Sequence, residues 1–336
     1  MPKRRTRHED TKDDDLICGA SALGEHPPKR CEDVWFDDGN VVLQAEDIQF
    51  KVHKSVLAKH SSVFADLFDM PHANDEPKVD GCPIVELHDS AEDIKHMSLR
   101  LYGLDSWKTR DRTARGDLPM ALVRAIIRMG RKYDIEHIRD EGLELLKKAF
   151  PTELSGWENI TQSPHKFECQ TRICRCVFEL ALEAIKLAHE SDIKTILPAC
   201  YLVICCYRDG KHTHMIPAEV RALCAFGGEE ILDGRNSTVY SWLADLGETE
   251  KCTNSPRCLR LGREFMKDVW QYPSLLTTFW DWRYIALLYG HRMDDLCVPC
   301  LRGAERSHQE KRREVWGKLP GYFGLPGWGE LKDFEN

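Results

Sequence analysis

The apolar residues change period at Ser55, and that switch constrains the fold more than any other feature of the chain. Ahead of it, Ile48, Phe50 and Val52 alternate with Gln49 and Lys51, the spacing of a strand with one buried face. Val34-Trp35-Phe36 is joined to Val41-Val42-Leu43 by Asp37-Asp38-Gly39-Asn40. That pattern predicts strand, tight turn, strand, because Gly and Asn tolerate the positive φ of such turns. Beyond Ser55, Val56 and Leu57, then Val63, Phe64, Leu67 and Phe68, fall on the faces of two short helices, with Ser61 and Ser62 placed to cap the second. Ile84 to Leu87 reads as another strand. Ser90-Ala91-Glu92-Asp93 has the capping-box spacing and opens a helix carrying Ile94, Met97, Leu101 and Tyr102. Residues 71–82 and the polar stretch 105–119 are expected to be loops. The class is α+β.

After residue 119 the chain turns helical and repeats itself. Ile127 to Gly130 leads to Asp134-Ile135-Glu136-His137-Ile138. Fifty-eight residues later Ile185 to Ala188 leads to Asp192-Ile193-Lys194-Thr195-Ile196. The pattern predicts two helical hairpins of one design, each with an Asp capping the second helix and two Ile turned inward. Residues 205–215 change character, and 227–254, rich in Gly and Glu, are expected to be irregular. A last helix is predicted over 297–319, with Leu301, Ala304, His308, Val315 and Leu319 on one face and Glu305, Glu310, Arg312 and Arg313 off it. Pro320 should end it, and Tyr322, Phe323, Leu325 and Trp328 should pack back. Three units follow: a flexible tail over 1–30, a first domain over 31–150 with order beginning at Val34, and a mostly α-helical region over 151–336.

A net charge of −8 argues against broad capture of nucleic acid or anionic membrane. The longest apolar run of the helical half, residues 201–207, is far short of the roughly 20 residues that span a bilayer. No apolar segment follows Met1-Pro2-Lys3-Arg4-Arg5, so no signal peptide is expected, and the 14 cysteines are expected to be reduced in the cytoplasm or nucleus. The run Lys3-Arg4-Arg5-Thr6-Arg7 reads either as a nuclear-import signal or as a solvated end.

At Asp33-Val34-Trp35-Phe36 and at Phe50 to Ala58 with Ser62-Val63-Phe64 the chain resembles a BTB/POZ domain. Over most of its length it is similar to a family of fungal BTB-containing proteins. That likeness is carried by Gly81-Cys82-Pro83, Leu87, Asp89 to Asp93, Tyr133 to Glu141, and the closing Val315-Trp316, Leu319-Pro320, Phe323 to Pro326 and Trp328. The resemblance implies a small mixed sheet covered by helical hairpins and no chemistry of its own. It implies protein partners: a second copy of the chain or a cullin-type ubiquitin ligase. It also implies that Asp33, ahead of the first strand, and Lys54, after His53, form a charged pair beside a partner-binding groove. Animal BTB domains begin with a helix exchanged across a dimer. Here Gly19, Gly24, Pro27 and Pro28 oppose a helix in that place.

His53 and Ser55 put a base beside a hydroxyl, but no third orienting group stands at a recognisable spacing. Residues 19–24 have the second Gly of a nucleophile elbow one position late, and no phosphate-binding glycine loop occurs. No enzyme is expected. Cys174, Cys176, Cys200, Cys205 and Cys206 lie in apolar helical surroundings and read as core. Cys252 and Cys258, in a polar loop, and Cys297 with Cys300, a C-x-x-C entering a helix, are the ligand types of a structural Zn²⁺ site. A helix N-terminus favours the thiolate that metal requires. The alternative is four unconnected reduced thiols. The resemblance implies a similar cysteine arrangement in the C-terminal region. The expected function is protein binding through the BTB-like groove. A substrate adaptor for a cullin-type ligase is the narrower alternative, and a zinc-stabilised nuclear protein in transcription is another.

Overall fold

The structure is a computed structural model and describes residues 27–70, 77–104, 118–161, 175–207, 210–271 and 274–335. Five strands form one mixed sheet: β1 Lys29–Trp35, β2 Val41–Ala45, β3 Ile48–Val52, β4 Lys78–Val79 and β5 Cys82–Leu87, in the order β1-β3-β2-β5-β4. β1 runs parallel to β3, β2 parallel to β5, and the β2–β3 and β4–β5 pairs are antiparallel.

The expected β1–β2 hairpin is therefore corrected, because β3 lies between the two strands. Neither Gly39 nor Asn40 has a positive φ; the left-handed residue is Glu46 (φ 53), at the true hairpin between β2 and β3. Gly39 answers to space instead. A Cβ there would stand 2.9 Å from Lys51 Cγ and 3.0 Å from the Phe36 carbonyl oxygen. Order also begins earlier than expected, since Lys29 and Arg30 already pair with Ile48 and Gln49. The half-buried reading of β3 fails for a related reason. As an interior strand it is covered on both faces, and its polar residues are buried with partners: Gln49 donates to Gln44 at 2.8 Å, and Lys51 to the Asp37 carbonyl at 2.8 Å.

Twelve α-helices occur among the described residues. Against the sheet stand α1 Lys54–His60, α2 Ser62–Asp69 and α3 Ala91–Leu101. The Ser61 hydroxyl accepts the Phe64 N–H and Ser90 accepts the Asp93 N–H, as the caps predicted. Of the stretch 16–32, where Gly and Pro oppose a dimer-exchanging helix, residues 16–26 lie outside the described residues and 29–32 belong to β1; of the expected 105–119 loop, residues 105–117 lie outside them as well.

The repeat is real, with a different mechanism at its corners. The hairpins are α4 Met120–Lys132 with α5 Glu136–Ala149, and α7 Arg175–Ser191 with α8 Leu197–Cys206; α6 Leu154–Thr161 lies between them in sequence. Asp134 and Asp192 do not cap the following helices. Both sit at φ 51, left-handed, and end the preceding helix. Ile135 N–H reaches back to the Gly130 carbonyl (2.8 Å) and Ile193 N–H to that of Ala188 (2.9 Å), the six-to-one bond of a Schellman turn. A short polar side chain tolerates this conformation better than most. The inward isoleucines are as expected: Ile135, Ile138, Ile193 and Ile196 are all buried.

α4 serves two cores. Leu122, Ile126 and Met129 pack with the sheet, while Met120, Val123 and Ile127 pack with the helical core, so one helix contributes to both. The helical core is completed by α9 Ala218–Asp233, α10 Ser255–Gln271, α11 Trp282–Met293 and α12 Val298–Tyr322. The stretch from 227 is thus not irregular at its start. α9 runs to Asp233, with Gly227 packed under Phe323 too tightly for any Cβ (2.3 Å), and π and 3-10 turns follow.

α12 also departs from its forecast twice. It passes through Pro320 to Tyr322, because the Trp316 carbonyl that proline cannot bond accepts the Trp328 indole N–H instead, at 2.9 Å. Arg312, assigned to the outer face, is buried, where it pairs with Glu158 of α6 and donates to the Phe279 carbonyl at 3.2 Å. The tail does fold back: Trp328 stacks on Trp316, and Phe323 meets Tyr201.

Candidate partner-binding corner and candidate metal centre

The strand-to-helix corner at His53 gathers residues from three elements. His53 precedes α1 and holds Tyr102, at the end of α3, twice: its backbone N–H donates to the phenol oxygen at 3.0 Å, and Nδ1 lies 3.0 Å from the same oxygen. Nε2 is 3.1 Å from Asp38 Oδ1. With Nε2–H donating to Asp38, Nδ1 accepts the Tyr102 O–H, an assignment that follows from the partners. Phe36 stacks on Tyr102 with centroids 4.4 Å apart. Burial pushes the Tyr102 phenol up. Ser55 is exposed in the first turn of α1, and His53 is engaged with Tyr102 and Asp38 rather than with it.

Asp33 and Lys54 are not brought together as a pair. Asp33 is 62% exposed and pairs with Lys95 of α3 at 2.5 Å, raising that ammonium above its usual range. The Lys54 ammonium stands 5.4 Å over the Phe68 ring, and its backbone N–H donates to Asn40 Oδ1 at 2.8 Å. The reason is topological: Asp33 lies on β1, and α3 packs beside that strand and supplies the nearer cation. Lys95, Asp38, Phe36 and Tyr102 were not singled out by sequence reasoning. Phe36, Asp38 and Tyr102 carried only structural signals there, as strand, turn and helix-face residues, and Lys95 carried none.

The four C-terminal cysteines do converge. The Sγ atoms of Cys252, Cys258, Cys297 and Cys300 all lie within 4.8 Å of one another, and Cys252 and Cys297 are 3.7 Å apart. A tetrahedral Zn²⁺ with bonds of about 2.3 Å sets its sulfurs about 3.8 Å apart. Cys252 precedes α10 and Cys258 lies in its first turn; Cys297 is the N-cap of α12 and Cys300 lies in the first turn of that helix. Two helix N-termini, each the positive end of its dipole, therefore meet at the sulfurs.

Backbone N–H groups also point at them. Burial acts to raise the Cys297 thiol, but the N–H groups of Cys300 and Thr253 outweigh it and bring the thiol down to about 6. Burial, with Cys297 and Cys252 beside it, pushes Cys300 up to about 12, and burial raises Cys258 as well. Four thiols this close resist ionising together unless a cation joins them. The loop is held by Gly247 (φ 87), whose Cβ would collide with Leu259 and with the Ser255 carbonyl at 2.8 Å, and Ser255 Oγ returns a bond to the Gly247 carbonyl. No disulfide joins cysteines among the described residues, and Cys176, expected in the core, is exposed. The donor set, its spacing and its local potential fit a divalent, thiophilic metal.

The aromatic residues between the two cysteine pairs divide. Phe279, Trp280 and Trp282 are buried in the helical core, whereas Trp270 is 44% exposed and donates to Asn236 at 3.1 Å. They do not form a separate small core, because they are continuous with the core beneath α7, α8 and α12.

No curated protein matches the chain, and no solved structure does. Residues 35–95, from the end of β1 into α3, match the family model of the BTB/POZ domain, a module that generally mediates protein–protein interaction. The chain carries a BTB/POZ domain with a small mixed sheet near its N-terminus, followed by a mostly helical region.

Proposed function

We propose that the chain is a non-enzymatic interaction protein whose BTB domain docks a protein partner along the β1 edge and the adjoining corner of His53 and Lys54. The observation that supports this most is the position of β1. It pairs with β3 on one side, and among the described residues no strand covers the other. An open edge offers N–H and C=O groups to an incoming extended segment. Asp33 with Lys95, and Lys54 beyond the end of the strand, border that edge with charge that selects among partners. His53 is occupied by Tyr102 and Asp38, which supports a binding rather than a catalytic role for the corner.

The test is affinity capture from the native cell with the full chain and with an Asp33→Lys/Lys54→Glu variant. The reading requires partners retained by the first and lost by the second at equal folded content. Recovery of a cullin would narrow the reading to a ligase adaptor. Recovery of the same set by both proteins would remove the edge and corner from it. The likeness to fungal BTB-containing proteins extends this reading to the helical half as a partner-specific extension of the domain.

The same reading assigns Zn²⁺ to Cys252, Cys258, Cys297 and Cys300 in a structural role, clamping the starts of α10 and α12. No open coordination position is needed for that role. The four thiolates must stay reduced, which suits the cytoplasm or the nucleus.

A further inference from the structure

The segment that follows α12 returns to the corners of the two helical hairpins. Leu331 is buried there, and Asp333 forms an isolated antiparallel bridge with Ile193. The Asp333 carboxylate is only 7% exposed and is fully engaged. Its Oδ1 accepts the backbone N–H groups of Lys194 (2.9 Å) and Thr195 (3.0 Å), its Oδ2 accepts the Thr195 hydroxyl (2.8 Å), and the Lys147 ammonium stands 3.4 Å away. It thus acts as a cap, supplied from elsewhere in the chain, for the turn leading into α8. The Phe334 N–H donates to the Asp192 carbonyl at 2.8 Å. The Phe334 ring lies against two guanidiniums, 5.5 Å from Arg131 and 5.2 Å from Arg139. The Glu335 N–H donates to Asp192 Oδ2 at 3.2 Å, and its carboxylate is 3.7 Å from Lys194 Nζ.

Three observations give this segment the character of a bound peptide rather than of core. First, the receiving surface is built entirely by other elements: Arg131 by α4, Arg139 and Lys147 by α5, Lys194 and Thr195 by the turn before α8. Each is positioned by hairpins whose inward isoleucines are buried. Second, recognition runs through a carboxylate cap, cation–π contacts and ion pairs. Leu331 is the one buried apolar anchor; beyond it Phe334 is only half-buried and Glu335 is exposed, so residues 333–335 are held chiefly by polar and cation–π contacts. Third, Phe334 sits at φ 64, a left-handed conformation that is an outlier for a bulky residue and persists only where contacts outweigh its strain. That strain is released when the segment lifts off. Charge points the same way. In a chain of net charge −8, Arg131, Arg139, Lys147 and Lys194 converge on three consecutive residues, two of them acidic.

We propose that this socket is a recognition site for acidic–aromatic peptide segments of the type Asp-Phe-Glu, filled in cis by residues 333–335 and open to such a segment of a protein partner when the cis copy is displaced. The site is separate from the β1 edge and does not depend on it. α4 and α5 carry part of the socket and also pack on the sheet side, so an occupant in trans would be held against the BTB half and the helical half at once. Because the cis segment competes, the apparent affinity of the native chain is reduced by the fraction of time the socket is closed.

The probe is a fluorescein-labelled peptide with the sequence of residues 327–335, titrated by anisotropy into three full-length proteins: the native chain, an Asp333→Lys/Phe334→Ala variant in which the cis segment is disarmed, and that variant with Arg131→Ala and Arg139→Ala added. The proposal expects saturable binding to the disarmed chain. Binding should be at least about tenfold weaker to the native chain and about tenfold weaker again, or lost, once the arginines are removed. A peptide with its own Asp and Phe replaced by Ala should not compete. Cooperative thermal unfolding of each protein is checked first. If the double variant fails to fold, Phe334→Ala alone, which keeps the Asp333 cap, takes its place. Absence of binding to a folded disarmed chain, equal binding to native and disarmed chains, or indifference to loss of both arginines would each overturn the proposal.

Discussion

Replacing Arg312 tests the structure at the point where it departs furthest from the sequence pattern. The guanidinium is 4% exposed and pairs with Glu158, itself 23% exposed, while Nη1 donates to the Phe279 carbonyl at 3.2 Å and Nε to Gln309 at 2.7 Å. Gln309 in turn donates to Asp281 at 2.7 Å, the residue that opens α11. Burial lowers the arginine, and the Glu158 carboxylate acts against that. Arg312→Ala strands a carboxylate, two acceptors and a void. Breaking a buried pair from one side costs about 3–5 kcal/mol, and the partial exposure of Glu158 favours the lower end, about 3 kcal/mol. Arg312→Met with Glu158→Leu removes both charges and refills the space, and should recover to within about 1 kcal/mol of the native chain. Urea unfolding followed by far-ultraviolet circular dichroism, at fixed zinc and protein concentration, measures both. A loss below about 1 kcal/mol for Arg312→Ala, or a double variant no better than the single, would refute the buried-pair argument.

Protein purified without metal-affinity tags should carry about one zinc per chain, and chelation should lower the unfolding temperature of the helical half. Less than about one-tenth of a zinc per chain by elemental analysis would end that assignment. Burial holds the His308 imidazole down to about 4, with Nε2 donating to the Trp280 carbonyl at 3.0 Å, while the unfolded chain protonates it near 6.5. Its contribution is complete above pH 6.5 and is lost as pH falls toward 4, about 3 kcal/mol in all. His308→Gln should lose less stability than the native chain between pH 7 and pH 4, and equal losses would contradict the burial argument. Asp33→Ala should cost less than about 1 kcal/mol in the same denaturation assay, because its pair with Lys95 is exposed to solvent.

What the chain determines locally was readable before any coordinates. The caps at Ser61 and Ser90 need only a hydroxyl three residues ahead of an N–H, and both are present. The inward isoleucines of the two hairpins need only helical spacing, and all four are buried. The C-x-x-C spacing of 297/300 puts two sulfurs within reach of one point, whereas the longer 252/258 spacing left unconnected thiols open, and the four meet because α10 and α12 start side by side. The same locality misled at Asp134 and Asp192, where an Asp ahead of a helix looks alike whether it caps that helix or ends the one before; only φ tells them apart. Through-space partners were beyond the pattern altogether. Period-2 spacing states that β1 and β3 are strands, but not that they lie side by side, nor that β3 is covered on both faces. Asp33 met Lys95 instead of Lys54 because α3 lies beside β1. Arg312 went inward because α6, about 150 residues earlier, placed Glu158 opposite it. The docking of residues 331–335 depends on two hairpin corners brought side by side. A run of Leu-Lys-Asp-Phe-Glu carries no period, and its conformation is set by the acceptors and cations that the rest of the chain presents to it.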